Sequence, residues 1–168
     1  MKKTLLLVFF IAISFTSCKK SSQVAPANTL SATFDGTNES FNTNLFGQNG
    51  SGVTLNSSLS ILGANGSASG SDVLSITLTT NNTITTGTYT NAPNSNDGFV
   101  SILYTVGPFS LTNPDEYTSD VNGNYLTTVK ITSISSTNIQ GTFTAQLLYS
   151  DGKTVKNVTD GKFNVKLN

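Results

Sequence analysis

Apolar and polar residues alternate with a period of two along most of the chain. Leu30, Ala32 and Phe34 are interleaved with Ser31 and Thr33, and Leu74, Ile76 and Leu78 with Ser75 and Thr77. Val100, Ile102 and Tyr104 continue the pattern, as do Val129 and Ile131. Phe143, Ala145 and Leu147 follow, then Phe163, Val165 and Leu167. Successive side chains on a strand point to opposite faces, so each run predicts a half-buried antiparallel strand with one oily and one wet side. Between the runs stand Asp35-Gly36, Asn49-Gly50, Asn65-Gly66, Asp97-Gly98, Asn122-Gly123, Asp151-Gly152 and Asp160-Gly161. These pairs tolerate positive φ and predict turns, and Asp35-Gly36 reads as a two-residue hairpin turn. No window beyond the first residues carries an apolar stripe at helical spacing. The expectation is an all-β fold of about eight to ten strands, arranged as an antiparallel β-sandwich, with an up-and-down or lipocalin-like barrel as the alternative.

The first residues break this pattern. Lys2 and Lys3 precede an unbroken apolar run from Leu5 to Ile13, and Ser14, Thr16 and Ser17 lead to Cys18. A basic start, a short apolar run and small residues before a cut site form the layout of a secretory signal peptide. The run is too short for a membrane span of about 20 residues. With cysteine directly after the cut, "FTSCKK" resembles a bacterial lipoprotein signal, which implies that Cys18 is lipidated and becomes the new amino terminus. Two or more acyl chains hold a domain stably on a membrane, at about 0.8 kcal/mol per buried methylene. The expected organisation is a signal peptide over 1–17, a lipid-anchored cysteine with a flexible tether over 18–28, and one all-β domain over 29–168. The tether, "KKSSQVAPAN" after the cysteine, is polar and aperiodic.

Composition then narrows the chemistry. About two residues in five are Thr, Ser or Asn, charged residues make up 11%, and the chain has no His, Trp or Arg. Without His, and with its single Cys given to lipid, the chain lacks the usual Ser–His and Cys–His nucleophile pairs and histidine-bearing zinc sites. Without Arg and with no formal net charge, it lacks the clustered cations that nucleic acid requires. The expectation is a protein with no catalytic activity, no cofactor and no nucleic-acid partner. Oxygen-rich loops leave one inorganic candidate. Asp115, Glu116, Asp120, Asn122 and Asn124 concentrate in "NPDEYTSDVNGN", with Asn94, Asn96 and Asp97 in a second loop, and such groups can ligate calcium. Neither loop has EF-hand spacing, and Asn, Asp and Gly also serve any exposed turn. The Thr-x-Thr pairs at Thr77/Thr79, Thr83/Thr85, Thr88/Thr90 and Thr142/Thr144 lack the constant period of a solenoid and fit ordinary β-propensity. Phe41, Phe46, Phe99, Phe109, Tyr117, Tyr125 and Tyr149 offer aromatic surface for a glycan or the core.

The last third carries a wider likeness. "VKITSISSTNIQGTFTAQLL" and "VTDGKFNVKL" place Gly-Thr-Phe on a returning strand and Thr-Asp-Gly-Lys-Phe at the opening of the last one. Together with Gly87-Thr88-Tyr89, these motifs resemble a group of uncharacterised lipoproteins of Bacteroidetes-type bacteria. The resemblance implies that Gly141, Thr142, Phe143, Gly161 and Phe163 shape turns and fill the core, and it implies no activity. The expected function is a membrane-tethered cell-envelope module for binding or structure, with an envelope protein as partner. The alternative is a carrier for a small apolar or glycan ligand. Surface export in the resembling lipoproteins is linked to acidic residues after the cysteine, which "CKKSSQ" lacks. The expected address is therefore the outer membrane on its periplasmic side, with the cell surface as the alternative.

Overall fold

The computed structural model describes residues 28–51, 57–67, 70–92, 98–108, 115–120 and 122–168. The expected signal peptide, Cys18 and nearly all of the expected tether lie outside the described residues, as do Asn94, Asn96, Asp97 and Phe109. Eleven strands are described: β1 (Thr29–Phe34), β2 (Thr37–Ser40), β3 (Thr43–Ser51), β4 (Ser57–Ala64), β5 (Val73–Thr80), β6 (Gly87–Thr90), β7 (Phe99–Val106), β8 (Asp115–Ser119), β9 (Thr127–Ile134), β10 (Asn138–Tyr149) and β11 (Val155–Lys166). The all-β expectation holds. The count exceeds ten because β2 and β6 are only four residues long, too short to show an alternation.

All eleven strands belong to one sheet, in the order β2-β1-β11-β10-β8-β7-β5-β4-β3, and every strand pair is antiparallel. Strand β10 divides one of its edges, with Leu147 to Tyr149 pairing β8 and Ile139 to Ala145 pairing β9, which carries β6 beyond it. The other end of the path returns to β11. Gly47 of β3 forms a parallel bridge with Leu167, and the Asn168 amide donates to the Gly47 carbonyl at 3.0 Å. The sheet is therefore curled on itself, as in the barrel-like arrangement, and its inner face meets itself across the core. Phe34 of β1 stacks on Tyr104 of β7 at 4.3 Å between centroids, and Phe41 meets Phe34 edge-on at 5.8 Å. The predicted inward residues of β1, β5, β7, β9 and β10 are all buried; on β11 Phe163 and Val165 are buried, and Leu167, just past its end, is half-buried.

The Asp-Gly and Asn-Gly pairs divide into two kinds. Asp35 (φ 47°) and Gly36 (φ 89°) form the β1–β2 turn, with Phe34 opposite Thr37, which is the predicted hairpin. Asn65-Gly66, Asn122-Gly123 and Asp151-Gly152 also lie in connections. Asn49-Gly50, by contrast, lies inside β3 opposite Leu59 and Ser58. Asp160-Gly161 is likewise inside β11, which already begins at Val155. There Asp160 (φ 52°) forms a bulge, and the pairing with β10 shifts between Phe143 and Ala145. Thr-Asp-Gly-Lys-Phe therefore sits mid-strand and does not open it. An αL-tolerant Asp serves a bulge as readily as a turn, which is why the dipeptide alone misleads.

The two recurring motifs meet each other at this bulge. Gly141 lies opposite Phe163, and Phe143 lies opposite Gly161, so each ring faces the glycine of the other motif. A methyl group on Gly141 would come 2.3 Å from the Lys130 carbonyl and 2.4 Å from the Phe163 ring. One on Gly161 would come 2.5 Å from the Phe143 carbonyl and 2.6 Å from its ring. The two phenyl rings lie nearly parallel with centroids 6.5 Å apart. Backbone carbonyls cannot rotate away as a side chain can, so both glycines are fixed by contact. Gly141→Ala and Gly161→Ala are each expected to lower stability by about 1–3 kcal/mol or more. Gly87→Ala, whose methyl would meet nothing closer than 3.9 Å, should change it by about 0.5 kcal/mol or less. Urea melts of the three variants check this; equal losses in all three would contradict the contact argument.

Candidate functional site

Strand β9 is flanked by the same four-residue pattern on both sides. Gly87-Thr88-Tyr89-Thr90 of β6 and Gly141-Thr142-Phe143-Thr144 of β10 align on it in one register. Gly87 and Gly141 both oppose Ile131, Thr88 and Thr142 oppose Lys130, Tyr89 and Phe143 oppose Val129, and Thr90 and Thr144 oppose Thr128. Val129, Ile131, Tyr89 and Phe143 are buried, so the alternation turns the threonines and Lys130 outward. On β11, Lys162 lies opposite Thr142. The outer face thus carries a row Thr88–Lys130–Thr142–Lys162 and a second row Thr90–Thr128–Thr144. An open groove of about 400 Å³ runs over these rows and reaches Asp160 and Gly161 at the bulge, with Phe143 in its lining.

A second cluster closes one end of the curled sheet. Tyr104 is buried on β7, and its hydroxyl donates to Asp72 Oδ2 at 2.7 Å while lying 3.3 and 3.4 Å from the Glu39 oxygens. The Gly107 amide holds Asp72 Oδ1 at 2.8 Å. Tyr117 faces Tyr104 on one side and Tyr149 on the other, with centroids 6.2 and 5.0 Å away. Lys156 places its ammonium 4.7 Å from the Tyr117 ring centre and 3.5 Å from Asp35 Oδ2. Burial, then the charge of Asp72, hold the Glu39 carboxyl above its ordinary range, against its bonds to Tyr104 and Asn65 and the pull of Lys156. Burial and the Asp72 bond push the Tyr104 hydroxyl far up, so it stays a donor. These groups latch the β1–β2 hairpin onto the start of β5 and the end of β7.

The calcium candidates are less concentrated than their spacing suggests. Asp115 and Glu116 stand at the start of β8, opposite Val106 and Thr105 of β7. Asp120 follows the other end of β8. Its carboxylate accepts the amides of Asn122 and Asn124, each at 2.9 Å, and these bonds hold it below its ordinary range. Among the described residues no group of three or more Asp, Glu, Cys or His side chains is placed to hold a metal ion. Asp120 acts as the cap of its own loop. Of the aromatic candidates, Phe41 is core and Tyr117 and Tyr149 line the tyrosine end, while Phe46 and Phe99 are exposed. Comparison with protein-family models, curated proteins and solved structures finds no match for this chain.

Sequence reasoning missed both clusters as units. The groove left a trace in the duplicated Gly-Thr-aromatic-Thr, but only register shows that the two copies flank one strand. The tyrosine end left none, since Glu39, Asp72 and Tyr104 are up to 65 positions apart. A carboxyl held above its unfolded value adds stability below that value and loses it as pH rises through the folded one. Ionised Glu39 therefore works against the fold at neutral pH. Glu39→Gln is expected to raise the melting temperature at pH 7, with the gap closing as pH falls below the ordinary carboxylate range. A gap that does not change with pH would contradict this assignment.

Proposed function

We propose that this chain is a membrane-tethered, non-catalytic binding module of the cell envelope, anchored through an acylated Cys18. The observation that carries the binding part is the groove over β6, β9, β10 and β11. Among the described residues, buried side chains of β1, β4, β5, β6, β7, β9, β10 and β11 form one core cluster, and the groove of about 400 Å³ opens on the outer face, over hydroxyls and charges. That volume falls within the range of small-ligand sites, about 300–1,000 Å³, and supports contact on the outer face. The direction of the strands supports a tether as well. β1 enters at Thr29, opposite Asn164, and runs toward the Lys156 end, where Asp35, Glu39, Asp72, Asp115, Glu116 and Asp151 gather. A tether at Thr29 holds that acidic end away from anionic headgroups, and Lys19 and Lys20 would add about 1 kcal/mol each at them.

Native mass spectrometry of the full chain, gently extracted from its own membranes, tests the reading. The expected species begins at Cys18 with acyl chains attached and retains a companion protein or glycan that Cys18→Ser, no longer membrane-held, loses. An unacylated mass would remove the anchor, and a small apolar adduct released only on unfolding would favour the carrier.

A further inference from the structure

We infer that the groove over β6, β9, β10 and β11 is a subsite for an acidic sugar, a uronate-type residue of a glycan chain; this rests on the binding-module reading and names its ligand class. Charge is the first ground. Among the described residues the ion pair formed is Lys156 with Asp35, and Lys130 and Lys162 make none. They stand in one row with Thr142 between them, roughly 10 Å apart at strand spacing, a distance one monoanionic sugar ring and its neighbour can span. Asp160 supplies the opposite character: a carboxylate on the same groove accepts bonds from ligand hydroxyls and repels a second negative charge. Two cations and one acceptor carboxylate fit a singly charged, hydroxyl-rich ring better than a phosphate.

The remaining wall agrees. Thr88, Thr128, Thr142 and Thr144 present hydroxyls that both donate and accept, which matches the mixed hydroxyls of a sugar. These side chains are held by the register that buries Tyr89 and Phe143 behind them, so little order is lost on binding. The volume lies at the lower part of the range for small-ligand sites, about 300–1,000 Å³. A bilayer surface, the other anionic candidate, would meet a flat or convex face more fully than a concave one.

The test uses the full acylated chain in detergent, titrated with a galacturonate monosaccharide, its methyl-esterified neutral form and inorganic phosphate, and read by saturation-transfer NMR. The galacturonate is expected to bind, and its affinity should fall about three- to five-fold in Lys130→Gln and in Lys162→Gln. Lys153→Gln, in the β10–β11 turn, should leave it unchanged. Equal binding of the neutral ester, displacement by phosphate at equal concentration, or an equal loss in Lys153→Gln would each overturn the assignment. So would an absence of binding by a chain that still melts cooperatively. That result would leave the tethered-module reading standing, because the latter is decided by the Cys18 mass and its retained companion.

Discussion

The structure depends on a reciprocal contact between two strands: Phe163 against Gly141 and Phe143 against Gly161. Glycine in a strand interior costs backbone entropy and offers nothing to pack. Here the cost is offset because each ring covers the bare backbone that the other strand provides, the device by which an aromatic side chain rescues a strand glycine. The contact is also a register lock. Sliding β11 by one residue would put Lys162 where Phe163 now lies and turn the whole inner face outward. The bulge at Asp160 absorbs the extra residue and keeps both ends of the long strand facing the core.

The outer surface follows from this lock. With Gly141 and Phe143 turned inward, Thr142 and Thr144 must face outward, and with Gly161 and Phe163 inward, so must Lys162. Strand β9 repeats the arrangement against β6, where Tyr89 is buried and its hydroxyl donates to the Thr85 carbonyl at 2.9 Å. The residues that fill the core therefore also set the spacing of the groove. The acidic tyrosine end is held by a different means. There the Tyr104 hydroxyl donates to Asp72 beside Glu39, and a lysine rests on a second tyrosine.

Much of this was legible in the chain. Where a strand is long and one-sided, as in β1, β5, β7 and β10, the alternation marks its buried residues correctly, and Asp35-Gly36 marks its hairpin. Legibility fails where a local signal has two physical uses. Asp160-Gly161 has the chemistry of a turn but serves as a bulge, and only the partner strand decides between them. It fails again where function is assembled across the fold: Lys130 and Lys162 are 32 positions apart and become neighbours in a row through Thr142 alone. Gly141, Thr142, Phe143, Gly161 and Phe163 were expected to shape turns and fill the core. Phe143 and Phe163 are core, the two glycines meet their rings at a bulge instead of a turn, and Thr142 faces outward.

The most direct measurement is the proton NMR spectrum of the folded chain at the α-protons of Gly141 and Gly161. Each lies against a phenyl ring, so ring currents should move at least one α-proton of each glycine clearly out of the usual glycine range. Cross-strand contacts to the Phe163 and Phe143 ring protons should accompany the shift. Ordinary shifts at both glycines, with no ring contact, would show that the reciprocal pair does not form, and the register, the bulge and the groove built on it would have to be abandoned.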